Sequence, residues 1–221
     1  MVFRDRCDAG QRLAERLAAC RGQQPIVLAL PRGGVVVGYE VARALDAPLD
    51  VVVTRKLGAP HNPEFGFGAV GPGGVRVLDE GSVRMLGLDA AQIERIAEKE
   101  CKEMERRQAS YRGERPLPDV SGRTAIVVDD GLATGVTARA AVRAVRQWGP
   151  ARLVLAVPVS APDTAARLRD EVDELVCLHA PSGFMAVGQW YEDFAQTSDE
   201  EVLEILARAQ SEHEGGGCAA P

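Results

Sequence analysis

The sequence predicts an α/β fold: a parallel sheet flanked by helices, with two smaller excursions from it. Three observations predict it. Short apolar runs at residues 26–30, 126–128 and 153–157 have the length and bounding turns of strands buried on both faces. Segments of helical period separate them, and strand, glycine turn, helix, strand is the rhythm of a parallel sheet. Two of the runs end in loops of small residues that open helices, at the sheet edge where α/β proteins place ligands.

Residues 7–20 carry Leu13 and Leu17 at helical spacing and read as an amphipathic helix. Residues 26–30 form a short buried strand, and Pro31-Arg32-Gly33-Gly34 turns the chain into a helix over 35–45. Residues 49–54 make a second strand ending in Arg55-Lys56. Residues 57–74 hold six glycines and three prolines, a composition that cannot sustain a helix, and a loop of that length is usually functional or disordered. Residues 75–78 close the excursion as a strand. Asp89 N-caps a helix to about residue 112, with Ile93, Ile96, Ala97, Cys101, Met104 and Tyr111 on one stripe. Glu98–Lys102 and Glu103–Arg107 add charge pairs four apart.

Residues 113–122 lead back to the sheet. A helix over 136–148 stops at Gly149-Pro150, followed by strand 153–157, helix 162–171 and strand 175–178. Residues 180–196 concentrate Phe184, Trp190, Tyr191 and Phe194. Ser198 and Glu201 form a capping box for a last helix ending near Ala209. The expected organisation is one domain over 1–210 with a helical insertion at about 79–115, and a disordered tail over 211–221.

Composition narrows the function. With 221 residues and 46% hydrophobic content the chain can bury one sizeable core. Acids outnumber bases 32 to 26, which disfavours a nucleic-acid partner. No apolar run approaches the ~18 residues of a membrane span, and the first residues lack a secretory apolar segment. Cys7, Cys20, Cys101, Cys177 and Cys218 are scattered without a Cys-x-x-Cys pair, as expected of reduced thiols in the cytoplasm.

The most informative stretch is IVVDDGLATGVT, residues 126–137. A strand delivers Asp129 and Asp130 to the C-terminal edge of the sheet. The following loop exposes backbone N–H groups at the positive end of a helix, an arrangement suited to phosphate. The carboxylates repel phosphate but accept hydrogen bonds from paired sugar hydroxyls, so the element suits a sugar phosphate. A generic phosphate loop or an Asp-Asp surface turn are the blander readings.

This stretch closely resembles the phosphoribosyl diphosphate (PRPP) signature of type I phosphoribosyltransferases. Over roughly residues 4–205 the chain is most similar to a bacterial phosphoribosyltransferase-like branch whose acceptor is undefined. The resemblance implies that Asp129 and Asp130 hold the ribose 2′- and 3′-hydroxyls. It assigns the 5′-phosphate to Ala133, Thr134, Gly135, Val136 and Thr137, with Gly131 and Leu132 completing the PRPP contacts. Arg32, Gly33 and Gly34 match the loop that grips the pyrophosphate, often through a cis peptide. Arg55 and Lys56, at the same sheet edge, match the basic residues that contact it. Residues 57–74 stand where the family carries a mobile catalytic lid, which excludes water from an oxocarbenium-like state. Within the lid, His61 and Glu64 are candidates to deprotonate the acceptor. Residues 180–196 correspond to the hood, where Phe184 and Trp190 either stack on a flat acceptor or form hood core. Magnesium is implied as a cofactor held mainly through PRPP and water. Homodimers are common in the family, and no residue here demonstrates one.

Two departures restrict the assignment. The third carboxylate of 6-oxopurine enzymes is replaced by Ala133, and Gly131 stands where an aliphatic residue normally follows the acids. The expectation is a transferase from PRPP to a nitrogen acceptor, with a non-catalytic PRPP or nucleotide sensor as the alternative.

Overall fold

The computed structural model describes residues 1–113 and 115–216. In chain order, α1 (Arg6–Arg16), β1 (Pro25–Ala29), α2 (Gly33–Leu45) and β2 (Leu49–Val51) come first. Next are β3 (Arg55–Ala59), β4 (Asn62–Gly71), β5 (Val75–Leu78), α3 (Glu80–Leu86) and α4 (Ala90–Arg112). The chain continues through β6 (Thr124–Val128), α5 (Val136–Gln147), β7 (Arg152–Val159), α6 (Pro162–Arg169), β8 (Glu174–His179) and α7 (Asp199–Gly216). Five strands form a parallel sheet in the order β2-β1-β6-β7-β8, and β3-β4-β5 form a separate antiparallel sheet.

Alternation along the central strands sorts the core into two layers. Ile26, Leu28, Val127 and Leu155 pack with Ala138, Ala141, Val142 and Val145 of α5. Val27, Ile126, Val128 and Val154 pack with Leu13 and Leu17 and with Val37 and Val41 of α2. Both layers are fully apolar, which explains why the strands read as continuous hydrophobic runs. Helix starts follow their caps: Asp89 and Gln92 form a reciprocal capping box for α4, and Ser198 and Glu201 do so for α7. The chain thus has the expected parallel sheet flanked by helices. Among the described residues no helix is long and apolar enough to cross a membrane.

Three expectations need correction. Residues 57–74 are mostly strand, because their glycines admit neighbouring chain segments. A β-carbon on Gly58 would collide with Pro63, and one on Gly68 would stand 2.5 Å from the Val77 carbonyl oxygen. The strand 49–54 leaves the parallel sheet after Val51, and Arg55 opposes Val70 across the antiparallel sheet. Arg55 and Lys56 therefore start the hairpin instead of ending a parallel strand. Lastly, α7 extends through Gly216, because the Tyr39 hydroxyl binds both Glu212 carboxylate oxygens, at 3.0 and 2.8 Å. Residues 217–221 of the expected tail lie outside the described residues.

Candidate active site

Chain direction in the sheet locates the site. From β1 the chain crosses through α2 to β2 on one side, while from β6 it crosses through α5 to β7 on the other. The carboxyl ends of β1 and β6 flank this topological switch point, where open α/β sheets bind ligands. The loop at residues 31–34 leaves β1 and the loop at 129–135 leaves β6, and Leu30 N–H donates to the Val128 carbonyl at 2.8 Å.

The two loops touch. A β-carbon on Gly33 would collide with Asp130 Oδ2 and stand 2.7 Å from Arg6 Nε. One on Gly34 would lie 3.0 Å from Asp129 Cα and 2.9 Å from the Val128 carbonyl oxygen. The glycine pair is thus required by the acid pair beside it, a tighter constraint than sequence alone suggested. The Pro31–Arg32 peptide is cis. Arg32 lies 3.9 Å from Asp199, which also accepts from the Tyr111 hydroxyl. Burial, helped by Asp199, pushes that phenol up to about 12.

Asp129 and Asp130 are partly shielded side chains with few compensating charges. Burial, then Asp130, raises Asp129 well above the usual carboxylate range; its Oδ1 accepts the Asp130 N–H at 2.9 Å. Burial raises Asp130 as well, with Arg6 pulling the other way. Arg6 Nε donates to Asp130 Oδ2 at 2.8 Å, and the Tyr191 hydroxyl donates to the Asp130 carbonyl at 2.6 Å. Arg6 was missed by sequence reasoning, being separated from its partner by most of the chain. A cation at the first residue of a helix was the available signal, since it opposes the helix dipole unless something else holds it.

The phosphate-type loop is braced from below. Leu132 N–H donates to the Val159 carbonyl at 2.9 Å, and Thr164 Oγ1 donates to the Ala133 carbonyl at 2.7 Å. Gly135 caps α5 at φ +71°, and a β-carbon there would collide with Thr164. Ala133 and Thr134 are exposed, while Val136 and Thr137 at the start of α5 are half-buried. A cleft of about 740 Å³ runs past Ala133, Thr134, Gly135 and Val136 and is also lined by Arg139 and Arg167. Its basic residues come from α5 and α6, and neither featured in the sequence reading.

Other predicted residues are more dispersed. Arg55 is held by Glu100 of α4 at 2.9 Å, and exposed Lys56 lies against Gly66. His61 is exposed at the hairpin turn; Glu64 lies on β4, and its side chain is outside the described residues. Phe184 and Trp190 pack on the cluster of Phe3, Ala9, Val159 and Tyr191. The Trp190 ring meets His179 edge-on at 4.9 Å. Gly131 finds its explanation here: a β-carbon would stand 2.5 Å from Val187 Cγ1, so the hood occupies that space.

A parallel sheet whose switch point joins a glycine loop, an acid pair and a small-residue loop opening a helix defines a class of α/β proteins with their candidate ligand site at the carboxyl edge of the sheet. Within it, the chain belongs to the phosphoribosyl transferase domain family, which matches residues 5–190. It is similar, at 49% identity over 216 residues, to a provisionally named phosphoribosyl transferase of Mycobacterium tuberculosis. That match covers 98% of this chain but 49% of the relative, so the chain spans about half the length of the curated relatives it matches. The crystal structure of TT1426 from Thermus thermophilus is similar with a TM-score of 0.79 and 48% identity, over 94% of this chain and 99% of that one.

Proposed function

We propose that the chain transfers the 5-phosphoribosyl group of PRPP to a nitrogen acceptor such as a purine-like base. The ribose C1–oxygen bond breaks, a C1–nitrogen bond forms, the acceptor gives up a proton and pyrophosphate leaves. The observation carrying this reading is the contact between Gly33-Gly34 and Asp129-Asp130, which makes the two candidate PRPP-binding loops one site.

In this reading Asp129 and Asp130 accept hydrogen bonds from the ribose hydroxyls and favour the positive charge that develops on the ring. Backbone N–H groups of the loop over Ala133, Thr134, Gly135, Val136 and Thr137 bind the 5′-phosphate at the start of α5. Arg32 and the backbone of Gly33 and Gly34 bind the departing pyrophosphate. Arg55 and Lys56 join them from the hairpin, and for Arg55 this requires exchanging Glu100 for the phosphate. His61 and Glu64, on the same hairpin, are the candidates for accepting the acceptor's proton, while Phe184 and Trp190 supply its apolar surroundings. Magnesium would enter on the diphosphate oxygens and neutralise the leaving group while keeping water ligands. Among the described residues no three His, Cys, Asp or Glu side chains gather to hold a metal.

The test is incubation with PRPP, Mg²⁺ and a panel of nucleobases, following pyrophosphate. Release that depends on one acceptor supports transfer. PRPP binding by calorimetry with no release for any acceptor would favour the sensor reading, which the absence of a carboxylate at Ala133 keeps in play. No binding of Mg²⁺–PRPP at all would refute both transfer and PRPP sensing.

A further inference from the structure

Arg6 connects four parts of the candidate site. Its Nε donates to Asp130 Oδ2 at 2.8 Å and its Nη1 donates to the Ala195 carbonyl at 2.7 Å. Its guanidinium lies 3.9 Å from the centre of the Phe194 ring, and its Nε borders Gly33 of the opposite loop. The Arg6 side chain is 11% exposed and that of Asp130 16%, so their interaction is screened little by solvent. Arg6 is also the first residue of α1, held there by the Asp5 cap, where the helix dipole disfavours a cation. A charge in that position is stabilised by its partner, not by its helix.

The partner's need is equally plain. Asp129 lies beside Asp130 on the same loop, Tyr191 approaches Asp130 from the hood, and Arg6 approaches it from α1. Among these titratable and charged groups Arg6 is the cation that offsets two adjacent carboxylates.

We propose that Arg6 is a positioning residue for the acid pair: one guanidinium fixes the orientation of Asp130 between the hood and the glycine loop and keeps it anionic. The predicted effect on ligand rests on the phosphoribosyl-transfer reading, whereas the effect on Asp130 rests on the contacts alone.

Arg6→Gln removes the charge and keeps a polar side chain. Carboxyl titration by ¹³C NMR on the full chain, with Asp130 assigned through Asp130→Asn, needs no substrate. Without the cation, Asp130 should hold its proton to higher pH. Calorimetry with Mg²⁺–PRPP should then show affinity lowered roughly tenfold at the acidic end of the titration and recovering as pH rises and the carboxylate returns. Arg6→Lys should keep Asp130 ionised and restore most of the affinity. An unchanged Asp130 titration in Arg6→Gln, an affinity loss independent of pH, or a lysine variant behaving like glutamine would each overturn the assignment. If wild-type chain binds no PRPP, the transfer reading fails and the titration still decides the role of Arg6. If Arg6→Gln does not fold, Phe194→Leu takes its place: loosening the guanidinium should move Asp130 the same way, and no movement overturns the proposal.

Discussion

Replacing Asp129 by asparagine should raise stability by more than replacing Asp130, although the residues are adjacent and chemically identical. Asp129 is a desolvated carboxylate whose nearest charge is another carboxylate, and its Oδ1 already accepts the Asp130 N–H, a bond an amide oxygen can keep. Neutralising it removes a desolvated charge while keeping that bond, worth about 1–2 kcal/mol of added stability. At roughly 2–4 °C per kcal/mol for a domain of this size, Tm should rise by about 2–8 °C. Burial raises Asp130 as well, but Arg6 at 2.8 Å offsets part of that penalty, so Asp130→Asn should gain less than Asp129→Asn.

The pH dependence gives a sharper check. A carboxyl whose folded-state value is raised contributes stability fully below its unfolded value, near ~3.9, and loses it as pH rises through the folded value. Wild type should therefore fall behind Asp129→Asn as pH increases from about 5 to 8, with the gap closing on acidification. Thermal scans of both variants across that range provide the assay. An Asp129→Asn variant less stable than wild type at pH 8, or a gap that widens toward acid, would refute the reasoning. Both variants should bind Mg²⁺–PRPP more weakly, by about 10- to 150-fold for a charged hydrogen bond worth ~1.5–3 kcal/mol.

Gly33→Ala drives a methyl into Asp130 and Arg6, so PRPP affinity should drop more than about tenfold; Gly183→Ala, with open space around it, should change stability by less than about 0.5 kcal/mol. Calorimetry and thermal scans separate the two. Thr164→Val removes the bond to the Ala133 carbonyl and should cost about 1 kcal/mol by urea denaturation while weakening PRPP binding through a looser phosphate loop. Asp50→Ala leaves Arg112, 3% exposed, without its carboxylate at 3.0 Å, and should cost about 3–5 kcal/mol; the double variant Asp50→Leu with Arg112→Met should recover most of that stability in the same assay.

The sheet was legible because buried parallel strands are written locally, as short apolar runs between turns. The acid pair and the small-residue loop that opens α5 were legible for the same reason: Asp129 through Thr137 are contiguous. The hairpin was not, because strand pairing at Gly58, Gly66 and Gly68 depends on what approaches each glycine, and glycine content alone signals a loop equally well. Arg6 was missed because its partner lies 124 residues away and the one local signal, a cation at the first residue of a helix, depends on where the helix is taken to start. Arg55 was misplaced by the assumption that an apolar run continues as one strand, when the chain leaves the parallel sheet at Val51 and begins a second sheet four residues later.

Gly131 shows why donor and acceptor differ in how readily they are inferred. The proposed PRPP contacts are largely backbone groups and carboxylates fixed to the carboxyl ends of β1 and β6, so the rigid sheet determines their geometry. The surface beside the acid pair is completed from elsewhere: Val187 fills the space over Gly131, and its segment rests on Phe3 and Tyr191, where the Phe3 N–H donates to the Trp190 carbonyl at 2.8 Å. The hood is also tied to the acid loop, the Tyr191 hydroxyl donating to the Asp130 carbonyl at 2.6 Å, so a residue change in the hood would reshape this surface and reach the loop. Conversely, a β-carbon at Gly131 would displace the hood, which couples the smallest residue of the signature to the segment that would choose the acceptor. Under the proposed transfer reading, acceptor choice would therefore rest on residues 184–190 and their support rather than on the acid pair.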